Sequence, residues 1–280
     1  MSGSLDGKTF LLGVGAQKAG TTWLYDYLAQ RKEVYISPLK EIHYFDTKHR
    51  PDLCIGADQL YIDKLAALQR RWILPGSSKA VRLKHMRERI RMISDDTAYV
   101  DYFERHVPAS CSLFGEITPS YSLLRRDGFE DIARRFERIK IVFLLRDPVE
   151  RFRSQLRMEM RWADPGRSEE ELFVEALDQP SFLERTWYHE TIGALRSVFA
   201  PEQIYIGFFD NFFSDGEIAR LCDFLGIPFM PGAYRKKSNA APKGTGLDPR
   251  LKALARQRFA PVYDFCKAEF GDRLPLAWGV

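Results

Sequence analysis

Five short apolar runs set the rhythm of this chain: residues 10–15 (FLLGVG), 34–37 (VYIS), 112–118 (SLFGEIT), 140–146 (KIVFLLR) and 203–209 (QIYIGFF). Their apolar positions are nearly continuous rather than alternating, the pattern of strands buried on both faces. Stretches of helical composition lie between them. Residues 21–30 follow the first run, 149–160 follow the fourth directly after Asp147-Pro148, and 218–225 end at Gly226 and Pro228.

Strands alternating with helices predict an α/β fold, a central and mostly parallel sheet flanked by helices. Two stretches break the alternation. Residues 51–106 are long, helical and basic, and read as an insertion. Residues 236–246 are rich in Lys, Ser, Asn, Gly and Pro, and read as a loop. Neither marks a boundary, and no internal repeat is visible, so residues 1–280 are expected to form a single domain.

Composition narrows the function classes. Apolar residues are 45% and charged residues 29%, an ordinary globular balance. A net charge of +4 suits a small anionic ligand as well as a polyanion. Cys54, Cys111, Cys222 and Cys266 form no C-x-x-C pair, so neither a disulfide framework nor a zinc site is expected. Reduced cysteines point to a cytoplasmic protein. The polar residues 1–7 lead into no secretory signal. No run approaches the ~18 apolar residues of a membrane span.

The segment Gly15-Ala16-Gln17-Lys18-Ala19-Gly20-Thr21-Thr22-Trp23 lies between a strand and a helix. Such a turn aims backbone N–H groups at one point, and the helix N-terminus adds partial positive charge. Gly15 and Gly20 have the spacing of a nucleotide-triphosphate loop, G-x-x-x-x-G-K-[ST]. Thr21 stands where that loop has its lysine, and Lys18 lies inside the loop instead. Thr21 and Thr22 offer hydroxyls to a phosphate.

The run K-A-G-T-T-W resembles the 5′-phosphosulfate loop of sulfotransferases that use 3′-phosphoadenosine 5′-phosphosulfate (PAPS). The resemblance covers about residues 8–270 and implies a P-loop-like nucleotide-binding fold. It implies that Gln17, Lys18, Ala19, Gly20, Thr21 and Thr22 hold the 5′-phosphosulfate, with Lys18 catalytic at the bridging oxygen. It would place Trp23 on the adenine, although Trp23 also suits a core position. Arg146 and Ser154, in R-D-P-V-E-R-F-R-S, resemble the family's 3′-phosphate motif, and Lys243-Gly244 resembles the element that closes over that phosphate. An arginine fork grips phosphate in bidentate fashion and a serine hydroxyl completes it. Arg151 also matches the motif but is expected to be structural.

Residues 41–46 (EIHYFD) resemble the E-x-H-F-F-D segment of the carbohydrate, or heparan-type, branch, and 115–121 (GEITPSY) resemble a second stretch of that branch. The first implies Glu41 as catalytic base, with His43 and Asp46 in supporting positions. Cytosolic relatives use a histidine base in another segment, so His43 is the rival. Transfer to an alcohol requires a group that takes the acceptor's proton and a cation at the leaving oxygen. The sulfuryl group carries less charge than a phosphoryl group, so no metal is demanded.

The reaction expected is in-line sulfuryl transfer from PAPS to a hydroxyl or amine of a small-molecule or carbohydrate acceptor, releasing 3′-phosphoadenosine 5′-phosphate. Residues 64–91, with nine Lys or Arg against one acid, Glu88, read as a solvated helical face rather than an entry surface for an acidic acceptor. Aromatics are too sparse among them for nucleic-acid binding. A P-loop kinase would need a metal-binding acid at a strand end, for which Asp147 and Asp210 are candidates. A non-catalytic nucleotide-binding protein would have no need of Lys18, Glu41 and His43 together.

Overall fold

The computed structural model describes residues 5–54, 56–69, 76–162, 166–234 and 246–279. Five strands form one sheet: β1 Thr9–Gly15, β2 Val34–Ile36, β3 Leu113–Ile117, β4 Ile139–Leu145 and β5 Ile204–Phe208. The order is β2-β3-β1-β4-β5 and every pairing is parallel. Each strand falls on one of the apolar runs. β1 is central, and the chain crosses to opposite sides of it to build β3 and β4. Ligands of open α/β sheets bind beyond the strand ends at such a reversal.

Helix α1 (Thr21–Leu28) follows β1, and α2 (Phe45–His49) follows β2. Three more helices precede β3: α3 Ala57–Gln69, α4 Ser78–Arg91 and α5 Ala98–His106. The basic stretch is therefore not uniform. α5 is amphipathic and belongs to the core: Tyr99, Tyr102 and Phe103 are fully buried, and Phe103 packs 5.5 Å from the strand residue Phe10. α6 (Arg126–Ala133) precedes β4, and α7 (Pro148–Glu159) follows it. The helix Asp215–Leu225 ends on Gly226, left-handed at φ 71°, as the Gly-Pro stop signal requires.

Leu11 of β1 pairs in register with Gly115 of β3. A Cβ on Gly115 would lie 1.8 Å from the Leu11 carbonyl oxygen, a backbone atom that cannot move aside. Gly115→Ala should cost about 3 kcal/mol, the upper range of overpacking. A urea unfolding midpoint within error of wild type would show that the strands can part.

Candidate active site

At the C-terminal end of β1 the chain turns sharply. Lys18 and Gly20 are left-handed, at φ 71° and 92°. Ala16 N–H donates to the Leu144 carbonyl at 2.7 Å, which stitches the loop to β4. Gly20 caps α1 without any side-chain hydrogen bond, so the first amides of the helix point at the loop unclaimed. The Gln17 Oε1 is buried and has no hydrogen-bond partner among the described residues. Thr21 is buried, and the Thr22 hydroxyl accepts from the Lys40 ammonium. The loop is thus tied to the segment that carries Glu41.

Lys18 forms no ion pair among the described residues. Its ammonium lies 3.8 Å from the Met158 thioether. Burial, then the charges of Arg146 and Arg161, push its pKa below the usual lysine value. Arg146 emerges where β4 ends. Its guanidinium donates to the Lys18 carbonyl at 3.1 Å, sits 4.7 Å over the Phe209 ring and meets Glu150 only at 3.8 Å. Burial holds its pKa below the ordinary arginine value. The Tyr188 hydroxyl donates to the Arg146 carbonyl at 2.7 Å and fixes the strand end. Two half-buried cations therefore lie side by side, and among the described residues neither has a carboxylate closer than 3.8 Å.

The remaining expected nucleotide residues divide. Ser154 is half-buried on α7. Lys243 and Gly244 lie outside the described residues. Trp23 is only 7% exposed, near-parallel to Tyr27 and Tyr234 and edge-on to Phe212 and Phe213. That is the core role its sequence also allowed, and neighbouring aromatics take up its ring. Phe209 and Phe213 instead wall the loop, within 3.4 Å of a Cβ built on Gly20. Their signal was the F-F-D-N-F-F run straight after β5, which the sequence reading passed over. Arg151 is structural: fully buried, it donates to Thr186, Gln155 and the Phe182 carbonyl.

Glu41 and His43 are also left-handed, at φ 65° and 56°. The His43 Nδ1 meets Asp46 Oδ2 at 2.6 Å, and its Nε2 lies 3.5 Å from Glu41 Oε2. Ser120 supports both partners, donating to Asp46 and sitting 3.2 Å from His43 Nδ1. Burial lowers the His43 pKa, but hydrogen bonds to Asp46 and Glu41 outweigh it and raise it to about 9. Burial would likewise raise the Glu41 pKa, yet His43, then Lys40 and Arg185, bring it below the usual glutamate value. His43 is an imidazolium at neutral pH and Glu41 a carboxylate.

Glu116 explains part of the 115–121 stretch. Fully buried, it accepts from Thr118, Tyr99, Tyr121 and the Ile42 N–H. The Tyr121 hydroxyl also accepts from the Tyr44 N–H at 3.1 Å. Neither residue belongs to the reacting groups, but both fix the backbone on which Glu41 and His43 sit. The strand-end acids that a kinase would use are committed elsewhere. Asp147 caps α7 through the Glu150 N–H and accepts from Tyr263, while Asp210 accepts from Trp278.

This architecture is the phosphate-loop-like α/β class, with a tight glycine-bearing turn after the central strand. Residues 11–231 match the model of the sulfotransferase family. The chain belongs to that family, and its reaction is sulfuryl transfer. Among solved structures, a sulfotransferase from Alicyclobacillus acidocaldarius superposes with a TM-score of 0.69 at 22% identity, covering 98% of this chain and 99% of that one. The sulfotransferase domain of the curacin biosynthetic pathway superposes at 0.51 with 17% identity, covering 92% and 97%. A search of curated proteins gave no match. None of these likenesses assigns the chain to the carbohydrate branch that residues 41–46 resemble. No helix among the described residues is long and apolar enough to cross a membrane.

Proposed function

We propose that residues 1–280 form one catalytic domain that transfers the sulfuryl group of PAPS to a hydroxyl, or an amine, of a small-molecule or carbohydrate acceptor. The observation that carries this reading is the pair Lys18 and Arg146, two half-buried cations joined through one carbonyl, with no carboxylate closer than 3.8 Å among the described residues. Such an arrangement is costly unless an anionic ligand completes it. The Gly15–Gly20 turn and the amides of α1 supply the 5′-phosphate cradle. Arg146 and Ser154 supply the 3′-phosphate grip.

In the reaction the acceptor oxygen forms a bond to sulfur as the bond from sulfur to the 5′-phosphate oxygen breaks. The acceptor proton passes to Glu41, ionised and therefore able to take it. Lys18 meets the charge that gathers on the leaving oxygen. The products are a sulfate ester and 3′-phosphoadenosine 5′-phosphate. His43, held as an imidazolium by Asp46, orients Glu41 rather than accepting the proton. With Asp147 and Asp210 engaged in structural hydrogen bonds, the kinase alternative has no free metal ligand among the strand-end acids the sequence offered. Free cysteines fit a cytoplasmic location.

Titration calorimetry with 3′-phosphoadenosine 5′-phosphate against 5′-AMP and ATP tests the nucleotide site. Wild type should prefer the 3′-phosphorylated nucleotide, and Arg146→Ala should lose ~10–100-fold of that preference, the value of hydrogen bonds to a charged group. Equal or better binding of ATP by wild type would overturn the donor assignment.

A further inference from the structure

The segment carrying Glu41 and His43 is gripped from outside by the helical hairpin α3–α4. Arg89 lies in the last turn of α4, in the basic stretch, yet only 1% of it is exposed. Its Nε donates to the Ile42 carbonyl and its Nη2 to the His43 carbonyl at 2.6 Å. Asp58 on α3 pairs with the same Nη2, and the Tyr61 ring lies under the guanidinium at 5.1 Å. The Tyr61 hydroxyl donates to the Glu41 carbonyl at 2.5 Å. Three consecutive main-chain carbonyls, of Glu41, Ile42 and His43, are thus each held by a side chain of the hairpin.

The conformation being held explains why a clamp is needed. Glu41 and His43 are both left-handed, separated by one residue, and non-glycine residues adopt that region only when their surroundings over-determine it. Glu116 and Tyr121 restrain the N–H groups of this turn from the sheet side. Arg89 and Tyr61 restrain its carbonyls from the hairpin side. With both sets in place the Glu41 carboxylate has one position relative to Lys18; with one set gone, the turn can relax toward ordinary backbone angles.

We propose that Arg89 and Tyr61 are positioning residues for sulfuryl transfer, and that α3–α4 serves as a clamp that sets the candidate base. The proposal rests on Glu41 being that base. Arg89 contributes through geometry: a lysine keeps the charge but cannot span two carbonyls and Asp58.

The test is a double-mutant cycle on PAPS turnover, read as release of 3′-phosphoadenosine 5′-phosphate with concentrated glycerol as a surrogate alcohol. Tyr61→Phe keeps the ring under Arg89 and removes only the hydroxyl, so it guards against an Arg89→Lys protein that fails to fold. Both variants should lower kcat, by ~5–20-fold for Tyr61→Phe and ~10–100-fold for Arg89→Lys, as misplacement of a reacting group does. The KM for PAPS and the Kd for 3′-phosphoadenosine 5′-phosphate should move less than twofold. In a Glu41→Gln background each clamp substitution should have no further effect, because the group it positions is gone. If Glu41→Gln is crippled but the clamp variants lower kcat by the same factor in both backgrounds, the clamp proposal is overturned and the base assignment stands. Wild-type turnover in Tyr61→Phe, with native melting temperature, overturns it as well. If Glu41→Gln itself turns over normally, the base assignment falls first and the clamp with it.

Discussion

Lys18→Met should turn over ~10²–10³-fold more slowly than wild type, the loss that follows removal of one preorganised charge from a developing oxyanion. Methionine keeps the length and the apolar stem but not the ammonium. In the proposed reaction the charge on the bridging oxygen grows as the bond to sulfur breaks, so Lys18 would bind the transition state better than the ground state. The expected signature is a fall in kcat much larger than the rise in Kd for 3′-phosphoadenosine 5′-phosphate. The pH profile carries the same information. The proposed reaction needs protonated Lys18, whose pKa lies below the ordinary 10.5 because of burial and the Arg146 charge. The alkaline limb should therefore begin below that value. A kcat within threefold of wild type would remove Lys18 from the chemistry.

Glu41→Gln comes second in size, with kcat down ~10²–10⁴-fold, the range of general base catalysis, and nucleotide affinity unchanged. The amide fills the same space but cannot take a proton. The pH dependence separates the two candidate bases. Glu41, with its pKa lowered, is ionised throughout the neutral range. The rate should therefore be level between pH 6 and 8. A His43 base would have to lose a proton held up to about 9, and the rate would climb through that region. The opposite sign holds for stability. Because folding raises the His43 pKa from 6.5, its stabilisation is complete below 6.5 and is lost as pH rises through about 9. A rising rate over that interval would make His43 the base.

The strands were legible because a strand buried on both faces leaves an unbroken apolar run, as 140–146 does. The phosphate loop was legible because its parts are contiguous. Lys18, Gly20 and Thr21 can be read in one window, and Arg146 marks the end of the strongest strand. The clamp was not legible. Arg89 acts 46 positions from His43 and Ser120 acts 77 positions away, and no local pattern announces either contact. Counting charges across 64–91 also hid Arg89. Its neighbours Lys84, Arg87 and Arg91 are exposed as a solvated face requires, and one arginine turns inward. Trp23 shows the reverse limit. A motif position fixes where a residue sits along the chain, but of the aromatics that surround it only Tyr27 is local, and Phe212, Phe213 and Tyr234 come from far along the sequence.

Among the described residues, Lys18, Glu41 and His43 are the non-glycine positions with left-handed backbone, a conformation that costs a side-chain-bearing residue roughly 1–2 kcal/mol. Glycine would adopt all three without that cost and would bring no amine, carboxylate or imidazole. With the roles proposed for these three residues, selection for heat resistance and selection for turnover would pull in opposite directions at these positions. A lineage of this enzyme living hotter would have to find its extra stability elsewhere in the fold.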